Sequence, residues 1–415
     1  ERASVMEQIG TFVIYIIMAC AVAGAVASVR DPESGLGKEF VEGLYAIGPI
    51  FIPVAGIMAS IPYLSEFIRI IAGPVFATVG ADPAIAATSL IAVDMGGYQL
   101  ADALAGSRDA WLMAAIVGYM AGATIIFSIP VGLAMLDKAD HKYMALGIMS
   151  GILSVPIGVF IACAIMSMAG LAVRPDIDTT SAATHQFTMG LGEILRNLLP
   201  LIVFCVAIAL GLRFVPDAMI KGFLWFGRIM YGGITLVLAF SIVEYFTGFF
   251  SSLFGVWGFD PIIADEADQF RALEIAGYIG IMLAGAFPMV YLLTKYLAKP
   301  MEIIGSRIGV SPEGAAGLLA AIANIIAMYR LIGRMRPRDK VLAIAFAVCA
   351  AFAFGDHLAF AANFQPTIIL PLLLGKLLGG SCGFLLAVWL SVPKAEQLAS
   401  AEEQSVSITE PAPAE

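Results

Sequence analysis

AFAFGDHLAFAANF, residues 351–364, puts an adjacent acid and histidine, Asp356 and His357, behind a glycine in an otherwise apolar run. A charged side chain near the centre of a bilayer costs about 2.5–3.5 kcal/mol on insertion scales, so partners, water or a ligand must compensate this step. Glycine also loosens a helix, and backbone groups freed inside a membrane persist only where protein or a water-lined cavity satisfies them. His141 and His185 lie in polar connections, which leaves His357 as the one histidine within a long apolar segment. The bland alternative is a buried Asp–His pair that only locks two helices together. A helix interrupted in this way predicts an all-α polytopic membrane chain organised around its breaks.

Composition points the same way. The 415 residues are 60% hydrophobic and only 13% charged, with a mean hydropathy of +0.92. Soluble domains carry nearly twice that share of charge. Apolar windows of about 20 residues recur along the chain, each long enough to cross a hydrocarbon core roughly 30 Å thick. A membrane β-barrel would instead alternate over segments of about ten residues. The net charge of −9 owes much to Glu402, Glu403, Glu410 and Glu415, and nothing in its distribution suggests a nucleic-acid partner. The cysteines Cys20, Cys163, Cys205, Cys349 and Cys382 all fall in apolar runs, as small core residues do. Their spacing predicts neither a metal site nor a redox centre, and no cofactor is expected.

About eleven apolar segments are expected, the first at residues 9–29, with no basic leader region or cleavage signal, and so a retained helix. The others run over 43–64, 84–104, 110–136, 143–172, 198–214, 222–250, 272–298, 313–333, 340–364 and 366–392. Pro49 and Pro53 interrupt the second, Asp94-Met95-Gly96-Gly97 the third, Ser128-Ile129-Pro130 the fourth and Gly355-Asp356 the tenth. Paired interruptions of this kind are the usual pointer to a transporter's binding site. A shift of 229 residues overlays Thr78–Ala92 on Arg307–Ala321, matching Gly80, Pro83, Ala86, Ala87, Leu90 and Ala92 with Gly309, Pro312, Ala315, Ala316, Leu319 and Ala321. Nearly the same offset pairs Asp109 with Asp339 and brings Asp94 beside the counterpart of Asn324. The chain therefore reads as a first repeat over 1–172, a connecting segment with one transmembrane helix over 173–221, a second repeat over 222–392, and a disordered cytoplasmic tail over 393–415.

Basic residues orient the segments. Lys295, Lys299 and Arg307 precede the ninth segment, and Arg330, Arg334, Arg336, Arg338 and Lys340 follow it. Positive charge favours the cytoplasmic side, so both clusters stay inside if the ninth segment turns back instead of crossing. The repeat then makes the third segment re-entrant too. In that arrangement the repeats are inverted, the N-terminus lies outside and the C-terminus is cytoplasmic. If every segment crosses, the repeats are parallel and the charge pattern is broken once.

Four stretches carry a resemblance: AVDMGGYQLADALAG (92–106), TIIFSIPVGL (124–133), GAFPMVYLLTKYLAKP (285–300) and AFAVCAAFAFGDHLAFAA (345–362). In this order they resemble the ethanolamine-utilisation transporter family, EutH, over nearly the whole chain. Asn324-Ile325-Ile326-Ala327 departs from the family's more polar turn at that place. The resemblance implies an inner-membrane permease that brings ethanolamine into the cell for breakdown, by facilitated diffusion or ion-coupled uptake.

A small amino alcohol fits the residues. Its ammonium needs a carboxylate, aromatic faces or both, and a desolvated cation–π contact contributes about 2 kcal/mol. Asp94 and Asp356 are the acids placed for this, with Tyr98, Phe354 and Phe360 as aromatics. Gln99, Ser128, Asn324, His357 and Asn363 offer partners for the hydroxyl. Gly96, Gly97, Pro130 and Gly355 mark the backbone breaks at this site. For Tyr98 and the phenylalanines the competing reading is plain packing, and for Glu244 it is a helix-end carboxylate. The main alternative function is a proton- or cation-coupled carrier for another small amine or amino acid. An intramembrane enzyme is a different class, but no GxSxG, HExxH or second intramembrane histidine accompanies Asp356 and His357. Helix faces rich in small residues would permit packing between subunits of a homo-oligomer.

Overall fold

A chain in hydrocarbon satisfies its own backbone groups most readily as helix, and the apolar runs fold accordingly. The computed structural model describes residues 2–409, and apart from a small antiparallel pair, Ala172–Val173 with His185–Gln186, their regular structure is helical. Among the described residues, eight helical stretches are long and apolar enough to cross a membrane: Ala3–Arg30, Gly35–Ala59, Arg108–Met135, Lys138–Ala169, Leu191–Phe214, Pro216–Thr247, Ala272–Arg307 and Pro366–Leu390.

Within them the chain is divided by its breaks. Helix α1 (Arg2–Arg30) is followed by α2 (Gly35–Tyr45) and α3 (Ile47–Ala59), so the second span starts earlier than its apolar core alone indicates. Then come α4 (Ile61–Ile71), α5 (Gly73–Val79), α6 (Ala84–Leu90) and α7 (Gly97–Leu104), with a bend of 116° between Ile61–Val79 and Ala84–Leu90. The fourth expected segment is α8 (Arg108–Val117), two π-helical stretches over Gly118–Gly122 and Thr124–Ser128, and α9 (Ile129–Met135). Its irregularity thus begins well before Pro130, which occupies the first turn of α9, where a missing N–H costs nothing. Next are α10 (His141–Ile152), α11 (Val155–Ala169), α12 (Leu191–Phe214), α13 (Pro216–Thr247), α14 (Phe249–Phe254) and α15 (Ala272–Arg307). The chain continues through α16 (Pro312–Ala323), α17 (Ile325–Ile332), α18 (Pro337–Ala350), α19 (Asp356–Phe364) and α20 (Ile369–Leu390) to α21 (Val392–Thr409).

The tail expected to be disordered from residue 393 is helical to Thr409, with 410–415 outside the described residues. Its Ala, Glu and Gln are strong helix formers, and Ala395 is buried while Glu402 pairs with Lys142. Tertiary packing thus supplies what an isolated polar helix lacks.

Long-range polar contacts sort the connections onto two faces. On one, Asp82 accepts from the Gly106 N–H at 2.8 Å, and the Asp82 N–H donates to Asn197 Oδ1 at 2.8 Å. Arg108 pairs there with Asp102 at 2.6 Å, and Arg174 donates to the Asn363 carbonyl at 2.7 Å. On the other, Lys340 pairs with Asp140 at 2.5 Å, and Arg336 donates to the Gly309 carbonyl at 3.1 Å. These contacts also close two hairpins. Asp82 and Gly106 tie together the ends of the α6–α7 segment, whose two helices pack on each other. Arg336 and Arg338 both donate to the carbonyl of Gly309, so α16–α17 leaves and returns at the opposite face.

Candidate functional site

Each hairpin tip rests on an irregular part of the helix that follows it. A Cβ on Gly122, in the π-helical stretch, would stand 2.2 Å from the carbonyl oxygen of Ile91 at the first tip. At the second tip, Phe352 N–H donates to the Ala321 carbonyl at 3.1 Å and Phe354 N–H to the Ile322 carbonyl at 3.0 Å. The break 351–355 therefore satisfies its freed backbone on the hairpin, as a membrane interior requires. Phe352 has φ +62°, a left-handed conformation that strains a bulky residue, and such strain clusters at functional sites. The two systems interlock: Thr124 Oγ1 donates to the Val348 carbonyl at 3.0 Å, and Tyr329 OH to the Ser128 carbonyl at 2.5 Å.

Between the tips lies a cavity of about 570 Å³. Asp94, Asn324, Asp356 and His357 line it, together with the aromatic side chains of Tyr45, Phe127, Phe287 and Phe352. Glu42, Tyr45 and Arg330 are exposed at its rim, while Phe352 and His357 are buried. Asp356 opens α19, and Asp94 lies just before α7, so each carboxylate sits where the partial positive charge of a helix start supports it. His357 Nε2 lies 3.9 Å from Asp94 Oδ1. Among the described residues no lysine or arginine pairs with either acid, and His357 Nδ1 has no hydrogen-bond partner. Carboxylates and aromatic rings are the groups that attract a small cation, and two carboxylates and four rings line this cavity.

Four of the side chains expected at the site from sequence thus meet in the cavity. Asn324 also caps α17, its Oδ1 accepting from the Ile326 N–H at 2.9 Å. Tyr98 and Phe360 do not line the cavity; they form a core cluster in which the Tyr98 ring packs tilted against Trp111 at 4.6 Å and meets Phe360 edge-on at 5.2 Å. The Tyr98 hydroxyl accepts from Gln365 Nε2 at 3.0 Å. Gln99 is buried without a hydrogen-bond partner among the described residues, outside the cavity. Asn363 donates to the Tyr278 and Ala359 carbonyls, both at 2.9 Å. Ser128 is buried, and Phe354 packs partly exposed against the core. Gly96, at φ +94°, and Gly97 form the first tip, and Gly355 closes the break before Asp356. Glu244 accepts from the Phe250 and Ser251 N–H groups at 2.8 and 3.2 Å, so it caps α14, away from the cavity.

Lys376 went unnoticed in the sequence. It is 1% exposed in α20 and donates from Nζ to the Tyr119 carbonyl, in the first π-helical stretch, at 2.7 Å. The Tyr119 ring in turn meets His357 edge-on at 5.2 Å. The signal was available: a lone lysine within the apolar run Ile369–Leu390 carries the same burial cost as Asp356.

The family described as "Ethanolamine utilisation protein, EutH" matches residues 9–390. A Listeria monocytogenes protein named probable ethanolamine permease EutH is 36% identical over 384 residues, covering 92% of this chain and 94% of that protein. An Escherichia coli protein of the same name is 38% identical over 375 residues, covering 89% and 88%. Bacillus subtilis protein YxeR is 33% identical over 380 residues, covering 91% and 94%. No solved structure matches.

Proposed function

The chain belongs to the EutH family of ethanolamine-utilisation proteins, and from that premise we propose that it carries ethanolamine across the inner membrane through the cavity between its hairpin tips. It is a permease rather than an enzyme, as its relatives' names indicate. The observation that carries the reading is the pair Asp94 and Asp356, two carboxylates facing one cavity with no lysine or arginine paired to them among the described residues. Ethanolamine is chiefly an ammonium at neutral pH, and a charge-assisted bond to a carboxylate holds it while Phe352, Phe127 and Tyr45 offer ring faces. His357 and Asn324 serve the hydroxyl.

Transport follows from two hairpins entering from opposite faces. In this reading 1–172 and 222–392 form an inverted repeat, and the tips alternate in closing the cavity. Lys138, Lys142, Arg213, Lys299, Arg307 and Arg336, in the connections on the Gly309 side, support reading that face as cytoplasmic, with the N-terminus outside. Glu42 and Arg330 then mark a mouth open toward the cytoplasm, an inward-facing arrangement. Purified protein in liposomes tests the reading. Labelled ethanolamine should equilibrate into protein-containing vesicles faster than into protein-free lipid, and unlabelled ethanolamine should suppress that flux. Equal rates with and without protein would overturn it, and a flux suppressed by another amine but not by ethanolamine would reassign the substrate.

A further inference from the structure

We propose that the chain holds an anionic phospholipid in a second cavity, of about 520 Å³, bounded by α10, α12, α20 and α21. Leu146, Met149 and Leu390 give it apolar walls, and Lys142, Arg213 and Lys394 bring three cations to the same space. The site lies where membrane spans end, since α10 starts at His141, α12 stops at Phe214 and α20 stops at Leu390. That is the level at which lipid headgroups meet acyl chains, and Phe214 and Val215 stand 71% and 53% exposed beside it. Among the described residues neither Arg213 nor Lys394 has a carboxylate within ion-pair distance, while Lys142 pairs with Glu402 of α21.

Charge and shape select one occupant. Inorganic phosphate would meet the cations and leave the leucine and methionine walls uncovered. A zwitterionic lipid would cover the walls, but its own ammonium would face Arg213 and Lys394, two cations without a paired carboxylate among the described residues. A diacyl phosphate ester of net negative charge satisfies both, with chains on the apolar walls and phosphate oxygens on the cations, as basic pockets between transmembrane helices do elsewhere. Glu402 then acts as a built-in competitor that occupies Lys142 until lipid displaces it.

The full chain in phosphatidylcholine nanodiscs, titrated with phosphatidylglycerol and scored by lipid retained in native mass spectrometry, tests this. Saturable retention is expected, together with a raised melting temperature, and inorganic phosphate alone should leave that temperature unchanged. Arg213→Gln with Lys394→Gln should weaken retention roughly 25-fold, because each cation near an anionic headgroup contributes roughly fivefold. Glu402→Gln should tighten it several-fold by removing the competitor. Equal retention of phosphatidylglycerol by the double variant and the parent overturns the proposal, as does a phosphate response matching the lipid's. If the double variant does not fold, Glu402→Gln decides: unchanged or weaker retention rejects the site. Neither arm depends on ethanolamine transport.

Discussion

His357 Nε2 stands 3.9 Å from Asp94 Oδ1, joining the helix that resumes after one break to the tip of the hairpin from the other half of the chain. The separation is too long for a hydrogen bond, so the pair is not locked. Both groups face the cavity, and each keeps bonding capacity for a ligand or water.

Asp356→Asn should reduce ethanolamine uptake at least tenfold while the protein reaches the membrane at its normal level. A bond to a charged group contributes about 1.5–3 kcal/mol, of which the amide keeps only a neutral remnant. Asp94→Asn should act in the same direction. Uptake by well-expressed variants, corrected for protein-free leak, checks this, and near-parental rates would remove these acids from the site.

Gly355→Ala should lower both stability and uptake. The added Cβ would stand 2.3 Å from the Ala323 carbonyl oxygen, so the break and the hairpin tip must move apart. Overpacking of this kind costs about 1–3 kcal/mol. Thermal unfolding in detergent gives the stability, with Gly48→Ala as a comparison because nothing lies within 4 Å of its added carbon. Equal melting temperatures for the two variants would refute the close packing of the tip.

Topology is checked by single cysteines in a cysteine-free background. Cysteines replacing Arg108 and Asp268 should react with membrane-impermeant reagents from outside the cell. One replacing Arg338 should react only after the membrane is opened. Labelling of a cysteine at Lys299 from outside would reject the orientation, and with it the inward-facing reading of the cavity.

Selectivity should follow charge more than the hydroxyl. Losing the cation strands a buried carboxylate, whereas losing the hydroxyl removes one neutral hydrogen bond of about 0.5–1.5 kcal/mol. Small primary amines of similar length should compete with labelled ethanolamine, and ethylene glycol should compete poorly. Raising external pH toward the amine's own pKa lowers the cation fraction, so uptake should fall. A protein-dependent flux that climbs with pH would show that neutral ethanolamine is carried.

The class of the molecule was legible because hydrocarbon imposes it: apolar length and scarce charge leave a polytopic helical chain as the reading. The breaks at Gly96-Gly97 and Gly355 were legible for the same reason, since glycine and acid in an apolar run oppose a plain helix. So were Asp94, Asp356 and His357, each lying at such a break, while Asn324 was singled out by the internal repeat, which sets it beside the counterpart of Asp94. Tyr98, Phe360 and Asn363 are close to those residues in sequence, but along a helix neighbours point to different faces. Only packing shows that Tyr98 turns onto Trp111 and Gln365, and that Asn363 bonds back to Ala359 and across to Tyr278.

By itself, then, the sequence determined the helical membrane class, the breaks at Gly96-Gly97 and Gly355 and the acids beside them, because burial cost is local and additive along the chain. By contrast, α3 runs through Pro49 and Pro53, and the fourth segment turns irregular at Gly118. Tertiary structure alone decided which polar groups share a space. Asp82 meets Gly106, Phe352 meets Ala321, and Lys376 meets Tyr119 through contacts between segments remote in sequence. The tail shows the same division: its composition read as disorder, and docking of Ala395 with the Lys142–Glu402 pair made it a helix. A buried or freed polar group must find a partner, but the chain's order does not say where that partner lies.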